Sequence, residues 1–105
     1  MNTEYWIITF HPPGGEQIPV GVLALLSGSD TAEIHLRFDL DLIASGADLA
    51  VLRGLPEMFA DEASTVGARG ALRRWAGTLS HAVRIDGPFE TGKSSASAIW
   101  AQMRG

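Results

Sequence analysis

The stretch GPFETGKS, residues 87 to 94, sets Gly87, Gly92, Lys93 and Ser94 at the spacing Gly-x-x-x-x-Gly-Lys-Ser, and Lys93 is the only lysine in the chain. That spacing belongs to a loop that binds nucleotide phosphates. Successive backbone N-H groups wrap the phosphates at a helix N-terminus, the lysine reaches the outer phosphates and the hydroxyl holds magnesium. The flanking segments fit in part, with AVRI before the loop reading as a strand and SASAIW after it as a helix. Other features oppose it. Only 11 residues follow Ser94, Glu90 sets a negative charge inside an anion cradle, and the preceding segment alternates and carries Arg84. The plainer reading is a polar loop that turns the chain at Gly87-Pro88 and Gly92 from a last strand into a last helix with a serine cap.

The remaining chemistry-bearing residues are dispersed. His11, His35 and His81 are too far apart in sequence for a metal motif, and the chain has no cysteine, so neither a thiolate site nor a paired zinc ligand set is expected. Asp39 and Asp41 form a D-x-D that could hold a hard cation if extended, but a helix-start role is the simpler expectation. Ser64 and Thr65 have no neighbouring base. An enzyme would have to use His11 or His35 with Asp39 in a pocket near the sheet. No metal, no cofactor and no catalytic set is expected.

The elements that must position these residues follow from periodicity. YWIITF, residues 5 to 10, is aromatic and β-branched and reads as a strand that stops at Pro12-Pro13-Gly14-Gly15. IPVGVLALL, residues 18 to 26, is apolar on both faces and reads as a central strand, with Gly21 at a bulge or close approach. A turn at Ser27-Gly28-Ser29-Asp30 leads to TAEIHLRFD. There Ala32, Ile34, Leu36 and Phe38 alternate with Glu33, His35, Arg37 and Asp39, predicting one core face and one wet face. From Leu40 the helical period takes over. Leu49, Leu52, Leu55 and Phe59 share a face, Asp48 assists the N-terminus, and a break is expected near Pro56. A second helix from about Ala68 to Ser80 puts Leu72, Trp75 and Leu79 inward and Arg69, Arg73 and Arg74 outward. HAVRI reads as a short fourth strand and SASAIWAQM as a closing helix. Trp6, Trp75 and Trp100 all fall in apolar patterns and read as core. The expected fold is α+β: an antiparallel three- to four-stranded sheet packed on two or three helices, in one domain over residues 1 to 105.

The composition narrows the partners. Hydrophobic residues make up 46% and charged residues 19% of the chain, which is globular rather than disordered. A formal charge of -4 with scattered arginines argues against nucleic acid, whose binding needs clustered cations. The longest apolar run, Val20 to Leu26, is far short of the ~20 residues a membrane helix needs. No basic region precedes the first apolar stretch, so a cytoplasmic protein is expected.

The opening YWIITF followed by HPPGGEQIPVGVLAL resembles a bacterial family of unknown function, whose members begin with a strand, a proline, a Gly-Glu pair and a Val-Gly-Val strand. Pro13, Gly15, Glu16, Val20, Gly21 and Val22 match. A weaker likeness continues through LAVLRGLPEMF and LSHAVRIDGPFETG. Gly14 stands where an arginine is usual and Pro19 where an asparagine is usual. The family has no established activity, and some members are encoded beside HipA-like kinases, which implies a regulatory or partner role. The expected function is therefore a non-enzymatic module that binds another protein or itself through a sheet edge or an apolar patch, with phosphate binding at residues 87 to 94 as the alternative.

Overall fold

The computed structural model describes residues 3–12, 14–25, 31–78, 82–93 and 95–104. In chain order these form β1 (Thr3–Phe10), β2 (Ile18–Leu25), β3 (Ala32–Leu36), a 3-10 turn (Leu40–Leu42), α1 (Gly46–Thr78), β4 (Val83–Thr91) and α2 (Ala96–Arg104). The strands make one antiparallel sheet in the order β3-β2-β1-β4. The first three form the expected meander, and β4 returns to the free side of β1. The fold is α+β. The expected turn at residues 27 to 30 lies outside the described residues.

Strand register gives each face its residues. Trp6 pairs with Leu23 and Leu23 with Ile34, which places Trp6, Ile8, Phe10, Leu23, Leu25 and Ile34 in one row system facing α1. Tyr5 pairs with Ala24 and Ile7 with Val22, so these face the other way, toward α2. β2 switches phase through a bulge, since Ile8 pairs with Gly21 but Thr9 pairs with Pro19. The extra residue lets Val20 turn into the α1-side core although Val22 faces α2. Gly21 is the expected close approach: a Cβ there would lie 2.4 Å from the backbone oxygen of His35.

α1 is two helical arms joined at Gly67, whose backbone (φ 80, ψ 163) is one that side chains do not tolerate. A straight helix would hold Phe59 and Trp75 about 24 Å apart. Their rings instead meet edge to face at 5.2 Å, and Arg74 reaches Glu62, twelve residues away, at 3.1 Å. The chain therefore folds back at Gly67. Both arms then contribute to one core: Leu52, Leu55 and Phe59 from the first, Ala68, Ala71, Leu72 and Trp75 from the second.

Several expectations need correction. The break lies at Gly67 and not near Pro56, around which α1 runs on. An interior proline costs roughly 3 kcal/mol, whereas burying Leu52, Leu55 and Phe59 returns about 1.5–3 kcal/mol each, so the helix persists. Phe38 does not face the core; it is 86% exposed, because β3 ends at Leu36. The last backbone bond to β2 is from the Arg37 N-H to the Val20 carbonyl at 2.8 Å; the Arg37 guanidinium binds both Asp39 oxygens at 2.6 and 2.8 Å and the Pro19 carbonyl at 3.3 Å, and at Phe38 the alternation has no sheet to maintain it. β4 does not stop after Ile85 but continues through Gly87-Pro88 to Thr91. Trp6, Trp75 and Trp100 are buried as expected, while Leu79 lies outside the described residues.

The glycines separate these effects in a single experiment. Gly67→Ala should lower stability by more than about 1 kcal/mol through its backbone alone. Gly54→Ala, at a helical position with open space around the missing Cβ, should raise it by roughly 0.5–1 kcal/mol. Urea unfolding of both variants measures the difference; equal shifts would mean that α1 does not bend at Gly67.

Candidate functional site

The first five residues of the candidate phosphate loop form a strand. Gly87, Pro88, Phe89, Glu90 and Thr91 belong to β4, and an extended strand directs successive N-H groups to opposite edges rather than to one point. Gly92 and Lys93 follow the strand, both exposed, and the Lys93 backbone N-H donates to Thr91 Oγ1 at 3.2 Å. Ser94 lies outside the described residues. The serine that starts the last helix is Ser95, whose Oγ accepts the Ala98 N-H at 3.2 Å, a side-chain N-cap. The expected turn at Gly87-Pro88 is instead a bulge, because Tyr5 pairs with Phe89 but Ile7 with Asp86. Gly87 is required there: it sits at φ +150, and a Cβ would lie 2.8 Å from the Tyr5 oxygen and 2.9 Å from Trp6 Cδ1. Pro88 is tolerated because β4 is an edge strand.

Among the described residues, His11, His35 and the D-x-D occupy separate places. His11 is exposed beyond β1, its backbone N-H donating to Ala82 at 2.7 Å. His35, expected in water, is half-buried with its ring 6.3 Å from that of Trp100, because α2 packs over that side of β3. His81 lies outside the described residues. The two oxygens of Asp39 both accept from Arg37, and Asp39 precedes the 3-10 turn without a side-chain cap bond. That bidentate bond, aided by the charge of Asp39, raises the Arg37 pKa above its usual value against the opposing effect of burial. Asp41 occupies the first turn as an exposed acid. Ser64 and Thr65 both donate to the Asp61 carbonyl within α1. No group of three metal-ligating side chains occurs among the described residues.

One surface does combine shape and chemistry. α2 packs Ala96, Ile99 and Trp100 onto Val22 and Ala24 of β2, and Tyr5 packs at the margin of this second core. Beyond Tyr5 the same face continues onto β1 and β4. Tyr5 and Ile7 are half-buried there, and Phe89 is 42% exposed with its ring 5.4 Å from that of Tyr5. Thr3 and Thr9, at the ends of the same row, are buried, so the opening is central. Arg84 and Asp86 rim it on β4, both exposed. Beside it, β4 presents a nine-residue edge with no strand partner among the described residues.

Sequence reasoning did not single out Tyr5, Ile7 or Phe89. The signal lay in the two-residue spacing of Tyr5 and Ile7, but Phe89 falls behind Gly87-Pro88, a dipeptide that reads as a turn. No described helix is long and apolar enough to cross a membrane.

Because the segment is a strand, magnesium with ATP or GTP at millimolar concentration should leave the melting temperature unchanged, and Lys93→Ala should be neutral within about 0.5 kcal/mol. Differential scanning fluorimetry checks both. A nucleotide-dependent rise that Lys93→Ala removes would contradict the strand geometry.

No protein-family model matches the chain, and no curated protein or solved structure matches it significantly.

Proposed function

We propose that this chain is a non-enzymatic interaction module that binds another polypeptide, or a second copy of itself, through the open half of the sheet around Tyr5, Ile7 and Phe89. The supporting observation is the continuity of apolar surface from the core under α2, through Tyr5, to the exposed ring of Phe89. Aromatic side chains beside a buried cluster and rimmed by charge have the composition of an interface centre. The β4 edge adds backbone donors and acceptors that an extended partner segment can pair with. The likeness of Pro13, Gly15, Glu16, Val20, Gly21 and Val22 to a bacterial family sometimes encoded beside HipA-like kinases implies a regulatory partner, which agrees with this reading. Phosphate binding by Gly87, Gly92, Lys93 and Ser94 draws no support from the extended backbone of Gly87 to Thr91.

Phe89→Glu should weaken association roughly thirtyfold, as loss of an aromatic anchor of about 2 kcal/mol implies, while lowering folding stability by only about 1 kcal/mol through the lost ring contact with Tyr5. Sedimentation over a concentration series measures self-association, and affinity capture with the wild type and the variant in parallel measures a second protein. A strictly monomeric chain that captures nothing, or equal binding by Phe89→Glu, would overturn the reading.

A further inference from the structure

β4 is an outer strand of the sheet, and its free edge has a definite pattern. The Ala82 carbonyl accepts from the His11 N-H, and Arg84 and Asp86 pair with Thr9 and Ile7, so by strand alternation the main-chain groups of these even positions serve β1. Those of Val83 and Ile85 point away from it, with no strand partner among the described residues. The register with β1 also sorts the charges. Arg84 and Asp86 lie on the open face, opposite the uncharged Thr9 and Ile7, whereas Glu90 lies beyond the bulge on the α1 face, opposite Glu4. Arg84 and Asp86 are exposed, and neither side chain makes a hydrogen bond or ion pair with a described residue.

We propose that β4 pairs antiparallel with β4 of a second copy of this chain, about a two-fold axis through Ile85. This deepens the interaction reading, on which it rests, by fixing the partner and the register. A two-fold axis perpendicular to the sheet keeps each face on its own side, so Arg84 of each copy comes opposite Asp86 of the other on the open face. Ile85 meets Ile85 as a hydrogen-bonded pair that exchanges both main-chain bonds. The Arg84–Asp86 pairs beside it are of the non-hydrogen-bonded type, in which side chains approach most closely. Moving the axis by one residue, to Arg84 or Asp86, would set a like charge against itself. The ladder runs over residues 83 to 87 and stops at Pro88, which has no N-H. Exposed ion pairs add little affinity; here they choose the register, and pairing of an open backbone edge holds the copies together. An edge this short places the dimer in the weak, transient class. Phe89 stays outside the ladder.

Sedimentation equilibrium of the full chain, from micromolar to millimolar concentration, tests the pairing. The wild type should dimerise, and hydrogen exchange should show the Val83 and Ile85 amides becoming more protected as concentration rises. Arg84→Asp and Asp86→Arg, both at exposed positions, should each weaken the dimer about tenfold, because two opposite pairs become like pairs. The melting temperature of the dilute chain should not move. Both substitutions in one chain exchange the charges and should restore the dimer to within about threefold of wild type. A chain that stays monomeric at millimolar concentration, single reversals that leave the dimer intact, or a double variant no stronger than the singles would each overturn the pairing. Phe89→Glu keeps the edge and the face apart. A monomer whose capture of a second protein is lost in Phe89→Glu overturns the pairing and leaves the face standing, whereas a dimer broken by Arg84→Asp and kept in Phe89→Glu supports the pairing by itself.

Discussion

The edge-to-face packing of Phe59 on Trp75 is the contact on which the architecture rests, because it joins two arms that a straight helix would keep far apart. Gly67 supplies the backbone freedom for the fold-back, and the aromatic pair supplies an energy that favours it. With both arms present, the row of Trp6, Ile8 and Phe10 is covered and these side chains are buried. Among the described residues, α2 alone covers the other face. Four strands about 4.8 Å apart span roughly 14 Å between their axes before side chains are counted, and one helix about 10 Å across covers about two of them. α2 covers β2 and β3, so the described residues leave the β1–β4 half around Tyr5 and Phe89 open. The surface proposed to bind a partner is a geometric consequence of how the helices are allotted to the two faces.

Much of the core was legible because its residues obey a single period. The helical spacing of Leu52, Leu55 and Phe59 matches a buried row, and the alternation of Ala32, Ile34 and Leu36 a half-buried one packed against the core. The pattern misled where a local interaction outweighed it. The Arg37–Asp39 pair takes over where β3 ends, and Phe38 is left outside although it continues the count. Pro56 and Gly67 illustrate the same limit from opposite sides. A proline usually ends a helix, but here it lies between Leu55 and Phe59, whose burial outweighs one lost hydrogen bond; the glycine, unremarkable in sequence, is where the chain can turn.

The candidate site was less legible than the core because it depends on pairing across strands. Nothing local in GPFETGKS distinguishes a loop from an edge strand with a bulge. The difference comes from Tyr5 and Trp6, which lie more than 80 residues earlier and fix the register of Phe89 and the need for Gly87. The same bulge sets both surfaces at this end of the sheet. It brings Phe89 beside Tyr5 on one face and Pro88 beside Trp6 on the other.

The central claim is that the two faces of one sheet are covered unequally. Solvent paramagnetic relaxation, measured on the side-chain protons of β1, β2 and β4 at a protein concentration low enough to keep the chain monomeric, tests it most directly. Strong enhancement is expected at Phe89 and intermediate enhancement at Ile7, with Ile8, Val22 and Leu23 protected. Protection of Phe89 and Ile7 equal to that of Val22 would contradict it, because the β1–β4 half would then be covered within the chain itself.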